Sequence, residues 1–225
     1  MGTQSKEEVT LLTDYAVDSA YSQAYYTLFA NIRFNWDNKQ TQHTVLLTTA
    51  DRSEQATIVA NVAIAAAFSG TPTILIDTDL RNSNLHQRFG AKNAPGLSNW
   101  LTLTTHEEAV TQFLSKTFVP DLHLLGVGTA TLQPHEINRL LSTKLQHIIA
   151  STRQFLAETE QRTSMIIFNS PPVLAGIDAS LVSSLVEQTF LLITAGQTTQ
   201  TQAKQAQEQL RHAHAKLAGV IMLNA

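Results

Sequence analysis

Residues 43–80, "HTVLLTTADRSEQATIVANVAIAAAFSGTPTILIDTDL", decide the fold. "HTVLLTTA" is rich in leucine and β-branched residues and predicts a strand, "ATIVANVAIAAAFSG" predicts a helix ended by Gly70, and "PTILIDTDL" predicts a second strand. Strand, helix and strand in so short a span form a right-handed βαβ crossover, which makes the two strands parallel. The turn "ADRSEQA" sits where a phosphate-binding loop ought to be, yet it holds neither glycine nor lysine.

The same alternation continues along the chain. Strands are expected at 122–128 ("LHLLGVG"), 164–170 ("SMIIFNS"), 188–196 ("QTFLLITAG") and 217–224 ("LAGVIMLN"). Helices are expected in "PHEINRLLSTKLQHIIASTRQFLAE", in "TQAKQAQEQLRHAHAKL" and, shorter, near Asp178 to Val186. Nearly continuous apolar strands alternating with helices imply an α/β fold, a doubly wound, mostly parallel sheet with helices on both faces. Upstream, Ala20, Tyr21, Ala24, Tyr25, Leu28, Phe29 and Ile32 recur at helical spacing and predict an N-terminal helix over about 18–34. No linker composition interrupts the chain, so 1–225 is expected to be one domain. Ligands of such sheets bind at the carboxyl ends of the strands, which here are 50–56, 77–81 and 169–172.

Composition narrows the partners. The chain has 15 Lys plus Arg against 18 Asp plus Glu, a formal net charge of −3, with no basic patch to meet nucleic acid or an anionic membrane. Cysteine is absent, which excludes disulfides, thiolate catalysis and cysteine-ligated zinc and fits a cytoplasmic protein. The first twenty residues contain no apolar stretch behind a basic start. Residues 56–76 carry no charge, but Asn61, Ser69, Gly70 and Pro72 mark a buried helix and a turn rather than a membrane span. His212 and His214 are two apart and point to different helix faces, so a histidine metal site is not expected.

Five stretches, in order, resemble the bacterial tyrosine kinases of capsule and exopolysaccharide operons, relatives of the Min and Par ATPases with a deviant P-loop. "ILIDTDLRNSNLHQRFG" resembles the second acidic motif, and "NAPGLSNWL" and "QPHEI" resemble the "NxPGLSxxL" and "NPxEL" segments that follow it. "IIFNSPPVLAGIDASLV" is similar to the third motif, and "LAGVIMLN" to the strand whose asparagine, here Asn224, lies near the adenine. The resemblance spans nearly the whole chain. It implies a P-loop NTPase-like fold, ATP and Mg²⁺ as cofactors, and Asp77 and Asp79 as catalytic and metal-site acids.

Set against the family's "SAEPGEGKSTTAANLA", however, the loop Arg52, Ser53, Glu54, Gln55, Ala56, Thr57 departs at its working positions. Arg52 and Glu54 replace glycines, Gln55 replaces the lysine and Ala56 the serine. Glycines let backbone N–H groups close around phosphate, whereas a carboxylate about 4 Å from a phosphate charge costs about 1 to 4 kcal/mol. Gln55 carries no charge to the phosphates, Ala56 has no oxygen for Mg²⁺, and only Arg52 offers a replacement cation. Asn169 stands where the third motif has its metal-site aspartate, and Mg²⁺ holds neutral amides weakly. Asp77 and Asp79 are then expected to face no cation. Phosphoryl transfer is nearly all positioning and charge stabilisation, so these exchanges remove most of what the protein contributes.

The N-terminal helix departs as well. The family's E-A-Y-R-x-L-R pattern, whose charges build a ring of subunits, is "QAYYTLF" here, with Gln23, Tyr26 and Phe29 at the oligomerisation positions. A monomer or small oligomer is therefore expected in place of the ring. The tyrosine-rich tail that the family phosphorylates has no counterpart in this sequence, and Tyr15, Tyr21, Tyr25 and Tyr26 read as packing residues. The reading that results is a cytoplasmic pseudokinase without bound ATP or Mg²⁺. Its expected partners are the cytoplasmic end of a membrane chain-length regulator or an intact sister kinase, with no insertion into the membrane itself. A working autophosphorylating tyrosine kinase is the alternative, and a Min/Par-type positioning ATPase a further one.

Overall fold

The computed structural model describes residues 11–51, 55–82, 85–91, 94–104 and 109–223. Seven strands form one sheet: β1 (Gln42–Thr49), β2 (Thr73–Asp77), β3 (Ser115–Lys116), β4 (Leu122–Leu125), β5 (Ser164–Asn169), β6 (Gln188–Thr194) and β7 (Leu217–Leu223). Their order is β3-β4-β2-β5-β1-β6-β7, and every pairing is parallel except β3 with β4. Helices α1 (Ala20–Phe34), α2 (Gln55–Phe68), α3 (Leu85–Arg88), α4 (Leu97–Thr102), α5 (Pro134–Thr159), α6 (Asp178–Ser183) and α7 (Gln200–His212) flank it. This is the doubly wound α/β sheet that the alternation predicts.

The strands are apolar at consecutive positions because both sheet faces are covered. Val45 and Leu47 of β1 join one buried cluster with α1 and α2, while Leu46 joins another with α4 and α5. Helix α2 lies between the sheet and α1, so it is buried on all sides from Ile58 to Ala67. That burial explains the uncharged stretch, and no helix among the described residues is long and apolar enough to cross a membrane. Gly70 ends α2 with φ +78°, a conformation that costs glycine little.

Local sequence signals start the other helices. Ser19 accepts from Ser22 N at 3.1 Å to cap α1, and Thr199 accepts from Gln202 N at 3.2 Å to cap α7. At α5, Pro134 opens the first turn and Glu136 Oε2 accepts from Gln133 N at 2.8 Å, which gives the "QPHEI" stretch a capping role.

Several segments end earlier than expected. The strand beginning at Leu122 ends at Leu125 rather than at 128. Residues beyond it bond instead to the first turn of α4, through Leu97 N to Gly126 O and Ser98 N to Val127 O, both 2.8 Å. Asn99 Oδ1 closes the clasp by accepting from Gly96 N at 3.0 Å and Thr129 N at 2.8 Å. A Cβ on Gly96 would stand 2.3 Å from Gly126 O, so the "PGLSN" stretch serves this close backbone approach. The strands expected to run to 170 and 196 stop at Asn169 and Thr194, and α6 stops at Ser183. Helices α3 and α4 and strand β3 are too short to leave a periodic signal in the sequence.

At the end of the sheet opposite the ligand side, Trp36 stacks on the buried His43 with ring centres 4.3 Å apart. His43 Nδ1 lies 3.3 Å from Glu187 Oε2, and Arg153 of α5 bonds the other carboxylate oxygen and, at 3.1 Å, Thr44 Oγ1. Burial alone would raise the Glu187 carboxyl, but His43 and Arg153 outweigh it and hold the group below its ordinary value.

Candidate functional site

The three strand ends singled out by the sequence meet in space. β1, β5 and β2 are adjacent, so Leu47 is in register with Asn169 and Asn169 with Asp77. The first residue of α2, Gln55, closes the group from above β1.

Gln55 is 4% exposed and its amide is saturated. Its Oε1 accepts from Thr49 N at 2.7 Å and from Thr49 Oγ1 at 2.8 Å. Its Nε2 donates to Asn169 Oδ1 at 3.2 Å and to the Ser170 carbonyl. Asn169 Nδ2 in turn donates to Asp77 Oδ1 at 2.9 Å. Thr49 N can only donate and the Ser170 carbonyl can only accept, so the orientation of the Gln55 amide follows from its neighbours. The carboxylate of Asp77 fixes Asn169 in the same way. A hydrogen-bonded chain of two amides ending on the Asp77 carboxylate thus links β1, α2, β5 and β2 at the point where the resemblance places lysine, phosphate and metal.

Asp79 takes a different role from Asp77. Asp77 is fully buried and also accepts from Asp79 N at 3.2 Å. Asp79 Oδ1 accepts from Arg81 N at 3.3 Å and Asn82 N at 3.1 Å, the pattern of an acid capping a turn. Among the described residues no group of three His, Asp or Glu side chains is placed to hold a metal ion.

Two links went unforeseen. Arg81 Nη2 lies 3.3 Å from both oxygens of Asp178 and 3.2 Å from Asn138 Oδ1. Asp178 is 1% exposed; burial raises its carboxyl and Arg81 opposes that rise. Arg81, in the stretch that resembles the second acidic motif, and Asp178, late in the stretch similar to the third, are therefore a pair, and both stood in the quoted stretches. Arg88 of α3 donates to Thr57 Oγ1 at 2.6 Å in the first turn of α2. Nothing in the local sequence around Arg88 signals that contact.

Ala56 and Thr57 are half-buried. Arg52, Ser53, Glu54 and Asn224 lie outside the described residues. At the positions that are described, the side chains do not fit a magnesium nucleotide. Gln55 and Asn169, where the resemblance would set a lysine and a metal-site acid, are amides that already satisfy each other, and an ion or phosphate oxygen entering there would have to break those bonds.

The oligomerisation positions need a correction. Phe29 is 2% exposed and faces the interior, with its ring 6.0 Å from Trp36. Its helix position turns it to the core, so of the three positions it offers the least surface to a neighbouring subunit. Tyr26 is half-buried against the same cluster, and Gln23 is exposed, with its Nε2 donating to Val17 O at 2.9 Å. Tyr21 packs between Tyr15 and Tyr25, and its hydroxyl accepts from Asn61 Nδ2 at 2.8 Å. Burial raises the Tyr21 phenol well above its ordinary value.

No protein-family model matches the chain. "Tyrosine-protein kinase YwqD" of Bacillus subtilis (strain 168) is 29% identical over 221 residues, covering 98% of this chain and 87% of that protein. Other bacterial tyrosine-protein kinases match over most of the chain as well. Among solved structures, the chimerical protein CapA2B2 superposes with a TM-score of 0.77 at 24% identity, covering 95% of this chain and 88% of that one. The septum site-determining protein MinD from Pyrococcus horikoshii, complexed with Mg-ADP, superposes with a TM-score of 0.61 at 17% identity, covering 80% and 70%.

Proposed function

Because the chain is a relative of the bacterial tyrosine-protein kinases and shares their fold, we propose that residues 1–225 act as one kinase-fold unit that works by binding a partner and not by transferring phosphate. The observation that carries this reading is Gln55. It is buried and fully bonded at the lysine position, in a network that needs no nucleotide to complete it.

The setting that the resemblance implies is capsule or exopolysaccharide synthesis. The partner is then the cytoplasmic end of a membrane chain-length regulator, which would hold this chain at the cytoplasmic side of the membrane and let it influence chain length or export. A pull-down of that regulator with the full chain, with and without Mg-ATP, tests the reading. Equal binding in both conditions is expected. Binding only with ATP, or no binding in either, overturns it.

One contact favours an active enzyme as the second reading. Arg88 places a guanidinium on the first turn of α2, the helix whose start the resemblance assigns to phosphate binding. Phosphotyrosine formed by the purified chain with Mg-ATP, and lost in Asp77→Asn, would establish that reading instead.

A further inference from the structure

We propose that the loop after β5 is a switch locked in one state by Gln209 of α7, so that the ligand side of the sheet presents the same face with or without nucleotide. The use of such a face rests on the partner-binding reading above; the lock itself does not. Residues 170–177 join β5 to α6 and contain only a 3-10 turn at Val173–Ala175. Loops at the ligand ends of strands are ordinarily the least stable parts of such folds and gain their order from what they bind.

Here the chain itself supplies the holds. Gln55 Nε2 donates to the Ser170 carbonyl, and Ser170 Oγ donates to Thr48 Oγ1 of β1 at 3.2 Å. Pro171 and Pro172 fix φ at the next two positions. Leu174 N donates to Ala50 O at 3.2 Å, and Val173 is buried in a cluster with Ala50, Ala206 and Leu210. At the far end Asp178, the first residue of α6, is paired with Arg81.

The contact that closes the loop comes from α7. Gln209 Nε2 donates to Val173 O and to Gly176 O, both at 2.9 Å, and lies 3.2 Å from Ser180 Oγ. Both carbonyls can only accept, so the amide nitrogen is the end that must face them. One side chain therefore spans the 3-10 turn, whose own bond, Ala175 N to Pro172 O, is 3.0 Å long. The tether is anchored, because Ala206 and Leu210 on either side of Gln209 are fully buried. The loop held in this way keeps Leu174 and Ile177 turned to solvent, 37% and 51% exposed.

The chain has no cysteine, so a spin label on Ile177→Cys reports the loop alone. In the otherwise unmodified chain the label is expected to show one restrained population that Mg-ATP leaves unchanged. Gln209→Met keeps the length of the side chain and removes both donors. It is expected to add a mobile population and to speed amide exchange at Leu174 and Ala175 about tenfold, the effect of two lost hydrogen bonds, while the amides of β6 keep their protection. Gln205→Met, at an exposed position of α7, is expected to change neither. The proposal is overturned by a label that is mobile in the unmodified chain or restrained only with Mg-ATP, or by Gln209→Met leaving the loop amides as protected as before. If Gln209→Met does not fold, the label in the unmodified chain, with and without Mg-ATP, decides. A locked loop in a chain that fails to bind the regulator would count against the partner reading and leave the lock standing.

Discussion

Gln55 Nε2 donates to Asn169 Oδ1 across 3.2 Å, and the two amides replace what the resemblance would make an ammonium and a carboxylate. The exchange removes one positive and one negative charge together, so the buried cluster keeps its balance. Asn169 can donate to Asp77 because it is an amide; an aspartate could not.

Asn169→Asp should therefore destabilise the fold by about 2 to 4 kcal/mol at neutral pH, because it sets a second carboxylate against Asp77 and removes a donor. The loss should shrink on acidification, when the two acids can share a proton. Gln55→Lys alone should also destabilise, by burying an ammonium among groups arranged for an amide. In the double variant the new charges compensate, so its cost should be smaller than the sum of the single costs. Denaturant unfolding of the three variants gives the coupling, and simple additivity would show that Gln55 and Asn169 do not act as a unit.

Nucleotide should leave the melting temperature unchanged. A ligand present at 100 times its Kd would add about 2.7 kcal/mol to the native state, a shift that thermal unfolding resolves easily. A clear rise with millimolar Mg-ATP would mean that the bonds around Gln55 open for phosphate.

Phe29→Ala should cost about 3 to 5 kcal/mol, the range for emptying a large buried aromatic site. Since Phe29 lies inside the subunit, its loss should lower stability without altering the state of assembly. Light scattering on the unmodified chain should also show no ring of the family's kind, because Gln23 and Tyr26 carry no charge for it. A stable octamer would refute this account of α1.

Acid should weaken the cluster around His43. The folded Glu187 carboxyl titrates below its ordinary value of 4.5, so its contribution is present above that value and is lost as pH falls through the lower, folded one. Stability measured across this acid range should drop less steeply in Glu187→Gln than in the unmodified chain. Equal slopes would remove Glu187 from the account.

Much of this protein is determined by its sequence alone. Apolar runs such as "VLLTT" and "MIIF", alternating with amphipathic or wholly apolar helices, imply a parallel sheet with its ligand side at the strand ends, because backbone periodicity is a local property. The want of charge at two positions of that side was equally legible, since Gln55 and Asn169 are amides whatever surrounds them. What those amides do was decided only by the tertiary structure. Their bond spans 114 residues of sequence and exists because β1 and β5 are neighbours in the sheet. The burial of Phe29 and the pairing of Arg81 with Asp178 have the same origin. Each depends on which surfaces the fold brings together, and spacing along one segment carries no record of that.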